Sequence, residues 1–356
     1  MSTKTKTLTV TTNPAYQVLI GSGLRKQVGE LVKHVIKHPC SILLVADSNV
    51  NALYGDEVEL SLAAAGFTVF HHSFLAGEAS KNITELTKIW QTLADLGFSR
   101  SDCVVALGGG VTGDLAGLAA ATYLRGIACI QMPTTVMAAI DACLGGKTAV
   151  NLPAGKNLVG SFSQPALVIC DYQCWQTLPP QIYLDGLAEA VKYGVLADKQ
   201  LLEQLQNGSY QDDIADFALR CLSIKAQYVM QDEHDNNQRQ LLNFGHTIGH
   251  AIEHCSDYTI SHGQAVAIGM AIEARAALAM GICDAASVSA ILTTLKKLGL
   301  PTTTDYTAAE LTQAALADKK RRGGEIILAL PQRLQECCLY PLPVEQLEEF
   351  IASGLG

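Results

Sequence analysis

Residues 103–114 read CVVALGGGVTGD: an apolar run, Cys103–Leu107, passes directly into Gly108-Gly109-Gly110 and then into small residues with helical spacing. A strand that ends in glycines at the start of a helix lets backbone N–H groups approach a diphosphate, with the positive end of the helix dipole behind them. The stretch therefore predicts a dinucleotide turn, although its spacing is not the usual GxGxxG. Outward from it, Ser41–Val45, Gly66–His71, Ile127–Met132 and Ala166–Cys170 are further short apolar runs in a chain that alternates strand-like and helix-like stretches. That alternation predicts a Rossmann-like parallel sheet in an α/β domain.

The pattern changes after Leu178-Pro179-Pro180. Leu184–Gly194, Asp212–Gln231, Leu242–His254, His262–Met280 and Ala285–Leu298 carry helical spacing with almost no strand signal. We expect a nucleotide-binding α/β domain over 1–180 and a mainly α-helical domain over 181–356, the second ending in a hairpin (Glu325–Leu330, Glu336–Tyr340) and a last helix. A length of 356 residues agrees with two domains, since a single core stops growing near about 250–300 residues.

Composition excludes several function classes. With 49% hydrophobic and 17% charged residues the chain buries a large core and is neither disordered nor collagen-like. Its net charge of −9 offers no overall field for nucleic acid or an anionic membrane, so an anionic ligand needs a local basic cluster. The 11 cysteines are scattered without a CxxC pair, which fits a reducing cytoplasm. The N-terminus is polar, and the apolar runs are broken by Arg125, Asp141, Glu273 or Arg275, so we expect no secretion signal and no membrane span.

Candidate binding residues gather around these elements. Asp47 at a strand end, Gly77-Glu78 and Lys81 are candidates to contact the riboses of a dinucleotide, although each taken separately reads as an ordinary loop residue. Thr134, Thr135, Asp141, Lys147, Asn151, Lys156 and Asn157 form a second group, in which two lysines set among glycines and apolar residues point to a bound anion. In the helical half, Glu189 and Lys192 share a helix face, for which an exposed ion pair is the simpler reading. His246, His250 and His254 stack at i, i+4, i+8, and His262 follows closely. An HxxxH pair on one face reads equally as a metal site or as hydrogen-bonded core histidines, and spacing alone does not say which of the four histidines bind. Lys225, Arg239, Lys319 and Lys320 add positive charge, so the expected substrate is a small polyanion such as a sugar phosphate or phosphorylated acid.

Read in order, GGGVTGDLAGLAAATYLRGI (108–127), PTTVMAAID (133–141), GGKTAVN (145–151), GKNLVGSF (155–162), TLPP (177–180), GLAEAVKYG (186–194), LNFGHTIGHAIE (242–253), SHGQAVAIGM (261–270) and DKK (318–320) resemble the 3-dehydroquinate synthase family over nearly the whole chain. The resemblance implies an NAD-binding α/β domain and a helical domain with the active site between them, NAD and a divalent metal (zinc or cobalt) as cofactors, and a cytoplasmic homodimer. The implied reaction is closure of 3-deoxy-arabino-heptulosonate 7-phosphate to 3-dehydroquinate with loss of phosphate, NAD being reduced and reoxidised in each turnover.

The resemblance places the metal on Glu189, His246 and His262, and makes His250 an acid/base or phosphate-side group. It places NAD on Asp47, Gly77, Glu78, Lys81, Gly110, Val111, Thr112, Gly113, Asp114, Thr134, Thr135 and the turn Cys174, Trp175, Gln176, Thr177, with Asp141, Lys147 and Lys156 facing cofactor or substrate. Substrate contacts are implied at Arg125, Asn157, Lys192, Lys225, Arg239, Asn243 and Lys320. The sequence departs from the family pattern at Gln264, Ala142-Cys143 and Ala149, and Gln264 removes a carboxylate beside a metal-site histidine. The rival readings are another sugar-phosphate cyclase of the 2-deoxy-scyllo-inosose type, a metal-dependent polyol dehydrogenase, and an inactive NAD-binding protein.

Overall fold

The computed structural model describes residues 5–318 and 324–356. The chain divides into two compact units, Met1–Leu178 and Pro179–Gly356. In chain order the first contains β1 (Lys6–Val10), β2 (Tyr16–Gly21), α1 (Val28–Lys33), β3 (Ser41–Asp47), the single turn α2 (Ser48–Val50), α3 (Asp56–Ala64) and β4 (Thr68–Phe74). There follow α4 (Ile83–Asp95), β5 (Cys103–Gly108), α5 (Gly110–Thr122), β6 (Ala128–Pro133), β7 (Lys147–Leu152), β8 (Gly155–Phe162) and β9 (Leu167–Asp171).

Seven strands form one sheet in the order β1-β2-β9-β6-β5-β3-β4. All neighbours pair parallel except β1 with β2. β5 and β9 are buried at every position and β3 at all but its ends, which is why they read as unbroken apolar runs. Leu86, Ile89 and Leu93 of α4 and Leu115, Ala116 and Ala119 of α5 close a core over Leu43, Val45, Val104 and Ala106.

Two hairpins depart from the expectation of strands alternating with helices. β1 and β2 add an antiparallel edge; β1 alternates Lys and Thr with apolar residues, and β2 holds an apolar run of only Val18–Ile20. The Gly- and Lys-rich segment read as an anion cluster is the antiparallel hairpin β7–β8, which carries Lys147, Lys156 and Asn157. β4 starts two residues later than expected because Gly66, at φ 93, belongs to the turn before it.

The second unit contains α6 (Pro180–Ala197), α7 (Lys199–Asn207), α8 (Ile214–Gln231), α9 (His246–Cys255), α10 (His262–Ala279), α11 (Ala285–Lys297) and α12 (Ala308–Asp318). The antiparallel hairpin β10 (Glu325–Arg333) and β11 (Glu336–Pro343) and then α13 (Leu347–Gly354) complete it. The single helix expected over Leu242–His254 is broken: Gln238–Asn243 is a 3-10 turn and α9 starts only at His246. The break is at Gly245, whose φ of 80 stops a right-handed helix. A side chain there would lie 2.4 Å from Met270 Cγ and 2.8 Å from the Val266 carbonyl oxygen, so α9 and α10 cross at backbone distance. Among the described residues no helix is long and apolar enough to cross a membrane.

Candidate functional site

α6 is apolar on all sides around residue 189, so Glu189 enters the interior of the second unit at 0% exposure. A bare carboxylate there is costly and must be compensated by cations. Its Oε1 lies 3.4 Å from His246 Nε2 and 3.6 Å from His262 Nε2, while Lys192 Nζ pairs with Oε2. The exposed ion pair expected for Glu189 and Lys192 is thus a buried one, Lys192 being 2% exposed. One ligand atom from each of Glu189, His246 and His262 lies within 4.8 Å of the others.

The two histidines are oriented by different partners. His246 Nδ1 lies 3.1 Å from the Phe244 carbonyl oxygen, which can only accept, so Nδ1 carries the proton and Nε2 keeps its lone pair. His262 Nδ1 lies 3.1 Å from Glu253 Oε2. Burial would raise the Glu189 carboxyl, but Lys192 and His246 hold it well below the usual carboxylate range. Burial brings His246 down to about 4. It would lower His262 as well, yet hydrogen bonds and charge from Glu189 and Glu253 push that ring up to about 10.

Neither Glu189 oxygen accepts a hydrogen bond of ordinary geometry. Two imidazoles and a carboxylate converging on such a point fit zinc or cobalt. Of the stacked histidines, His246 joins the triad and His250 lies beside it, its ring 5.7 Å from His246 and 6.0 Å from His262, whereas His254 is exposed. His250, Glu253 and His262 form a second group that shares His262.

Lys225 and Arg239 are 8% and 2% exposed, and Lys192 is equally enclosed, an unusual concentration of buried cations for one helical unit. Arg239 Nη1 donates to the Glu233 carbonyl at 2.6 Å, and Asn243 ends the same 3-10 turn just before His246. At the N-terminus of α10, Gly263 lets the helix reach α6: a Cβ there would lie 2.3 Å from the Asp185 carbonyl oxygen. Ser261 Oγ donates to Asp185 Oδ1 at 2.6 Å beside it. Lys319 and Lys320 lie outside the described residues.

In the first unit, Asp47 and Gly108–Asp114 meet at the C-terminal edge of the parallel sheet, where such folds bind dinucleotides. Asp47 Oδ1 accepts from Asn49 and Val50 N–H, and Thr112 Oγ1 reaches Asp47 Oδ2 at 3.5 Å. Lys81 Nζ bonds Asp114 Oδ2 at 2.5 Å and Asn157 Oδ1 at 2.6 Å, while Asn151 Nδ2 donates to Glu78 Oε1 at 2.7 Å and Asn151 Oδ1 accepts from Asn157 N–H at 2.9 Å. This network ties the Gly77–Lys81 loop, α5 and the β7–β8 hairpin together.

Thr134 is 2% exposed and its Oγ1 has no partner beside the α5 N-terminus, which carries no side-chain cap and no acid in its first turn. Those features fit the phosphates of NAD. Thr135 Oγ1 accepts from Ala138 N–H in the turn that leads to Asp141. Cys174 and Trp175 are buried in the turn after β9, where Thr177 Oγ1 lies 2.5 Å from Tyr54 Oη, and Gln176 is exposed. Lys147 is exposed and Lys156 half-buried on the hairpin. Arg125 is not brought to this edge: α5, 13 residues long, carries the chain back across the sheet, and Arg125 lies exposed before β6.

Glu253 and Glu273 are site residues that spacing arguments missed. Both are buried carboxylates on the α9–α10 pair, at 3% and 0% exposure, and Glu273 accepts from Gly245 N–H at 2.7 Å. The signal for Glu253 was present, since it sits two turns from His246 on one helix face.

Comparison with known proteins agrees with this architecture. The chain matches 3-dehydroquinate synthase N-terminal over residues 71–185 and 3-dehydroquinate synthase C-terminal over 186–321. It is 42% identical to the 3-dehydroquinate synthase of Streptococcus gordonii over 94% of this chain and 96% of that one. Among solved structures it is similar to 2-deoxy-scyllo-inosose synthase complexed with carbaglucose-6-phosphate, NAD+ and Co2+ (TM-score 0.86, 26% identity, 99% of this chain and 100% of that one). It also resembles 2-epi-5-epi-valiolone synthase from Streptomyces hygroscopicus subsp. jinggangensis 5008 with NAD+ and Zn2+ bound (TM-score 0.85, 25% identity, 94% and 95%). With both halves matched in order and near-complete coverage at this identity, the chain belongs to the 3-dehydroquinate synthase family.

Proposed function

We propose that this protein is a 3-dehydroquinate synthase, a carbon–oxygen lyase that converts 3-deoxy-arabino-heptulosonate 7-phosphate to 3-dehydroquinate and phosphate, acting in the cytoplasm as a homodimer. The observation that carries the reading is the buried Glu189 carboxylate with His246 Nε2 and His262 Nε2 turned toward it, in a unit that also buries Lys192, Lys225 and Arg239. Glu189, His246 and His262 would hold the metal, and the Asp47, Gly110–Asp114 and Thr134 edge would hold NAD. When bound, NAD would supply a reversible hydride acceptor and zinc or cobalt a Lewis acid beside a substrate hydroxyl.

The chain's own groups account for the rest. Lys192, Lys225 and Arg239 are enclosed cations able to neutralise the phosphate and carboxylate of the substrate, and such charges act strongly where water is excluded. His250, one turn from His246, can hold or pass a proton at its imidazole. Asn157, Lys147 and Lys156 on the β7–β8 hairpin would orient the substrate, whose ring closure depends chiefly on holding the reacting atoms close. The 11 cysteines form no disulfide, which supports a reducing compartment.

The test is a phosphate-release assay on the heptulosonate phosphate with product identification, run with catalytic NAD. Phosphate should exceed enzyme many-fold while absorbance at the NADH wavelength stays at the enzyme-bound level. NADH rising in step with product would make the protein a dehydrogenase.

A further inference from the structure

Glu253 lies on the same face of α9 as His246, with its carboxylate 3% exposed. A carboxylate so enclosed is retained only against a specific partner, and its Oε2 lies 3.1 Å from His262 Nδ1 on the neighbouring helix α10. The opposite nitrogen of the same ring, Nε2, faces Glu189 Oε1. When Glu253 accepts the Nδ1 proton, the ring is held in one plane with Nε2 directed at the point where His246 Nε2 also arrives, so that a metal displacing the Nε2 proton meets that nitrogen's lone pair. A matching contact runs the other way: Glu273 of α10 takes the N–H of Gly245, the residue just before His246 on α9. Each helix thus contributes a buried carboxylate that fixes the histidine end of the other.

We propose that Glu253 is a positioning residue for the metal centre, presenting His262 Nε2 to a cation at Glu189. The proposal rests on the reading of Glu189, His246 and His262 as the metal ligands. The competing role, Glu253 as a ligand in the group His250–Glu253–His262, requires a cation at His262 Nδ1, where the Glu253 hydrogen bond already holds a proton.

The experiment uses full-length protein stripped of metal and titrated with Co2+ or Zn2+ alone against a chromophoric chelator, with circular dichroism confirming the fold of each variant. Glu253→Gln keeps an acceptor oxygen but loses the charge, and should weaken metal binding about 10-fold; Glu253→Ala should weaken it about 100-fold. Stoichiometry should stay at one, and the Co2+ d–d spectrum of Glu253→Ala should change band shape. Glu253→Asp, which withdraws the carboxylate by one methylene, should fall between the wild type and Glu253→Ala, and it serves if Glu253→Ala does not fold. A brace between helices with no role at the metal would lower thermal stability but leave the dissociation constant and the spectrum unmoved, and that result overturns the proposal. So does a wild-type stoichiometry of two that drops to one in Glu253→Gln, which makes Glu253 a ligand. His262→Ala separates the two readings. Metal retained in His262→Ala refutes the triad itself, whereas metal lost there but bound with wild-type affinity in all Glu253 variants refutes only the positioning role.

Discussion

Loading the metal-free protein with zinc or cobalt at pH 7 should release about one proton per ion, and the number follows from the site. Glu189 is held well below the usual carboxylate range and carries no proton at that pH. His246, brought down to about 4, is neutral. His262, pushed up to about 10 by Glu189 and Glu253 against the effect of burial, is protonated. A metal must displace that one proton, so apparent affinity should rise roughly tenfold per pH unit from about pH 7 to 9 and level off near 10. The measurement is calorimetric titration in buffers of different ionisation enthalpy, where the slope of the observed heat against buffer enthalpy counts protons. The same group sets a stability trend in the metal-free protein. Its folded value lies above the unfolded one of about 6.5, so its stabilisation is complete below that pH and is lost as pH rises through about 10. Metal binding with no proton release at pH 7 and no pH dependence up to 9 would refute the view that the two carboxylates share His262 between them.

Gly245→Ala forces a side chain onto Met270 and the Val266 carbonyl at φ 80 and should destabilise the protein by about 2–4 kcal/mol in urea unfolding, through strain and overpacking together; a loss under about 0.5 kcal/mol would show that α9 and α10 can separate freely. Lys81→Ala strips Asp114 and Asn157 of a shared buried cation, so NAD affinity measured by fluorescence titration should fall at least about 10-fold; unchanged affinity would reduce the network to a loop tie. Arg239→Ala, at 2% exposure, should cost about 2–5 kcal/mol in kcat/KM while circular dichroism stays native; wild-type kinetics would remove this residue from substrate binding.

Much of the first unit was legible because burial on both faces of a parallel sheet demands unbroken apolar runs: β3, β5, β6 and β9 appear as such runs, with boundaries off by one or two residues. The β1–β2 and β7–β8 hairpins were not, since β1, β7 and β8 carry Thr, Lys, Asn and Gly that mimic loops and β2 holds an apolar run of only three residues. In the helical unit the periodicity over 242–254 promised one helix, and a local backbone choice at Gly245 cut it in two.

By itself the sequence determined the fold class, the change of character at the Pro179-Pro180 pair, and through its ordered motifs the family to which these residues belong. It also placed His246 and His250 on one helix face, because helical spacing is a property of neighbouring residues. Only tertiary structure decided that Glu189 and Lys192 are buried, that Glu253 grips His262, that His254 is exposed, and that Arg125 lies exposed in the turn before β6. The physical reason is that ligand convergence and the ionisation of buried groups depend on distances between elements remote in the chain. Glu189, His246 and His262 meet because glycines let α9, α10 and α6 approach at backbone distance, and no periodicity within one element encodes that approach.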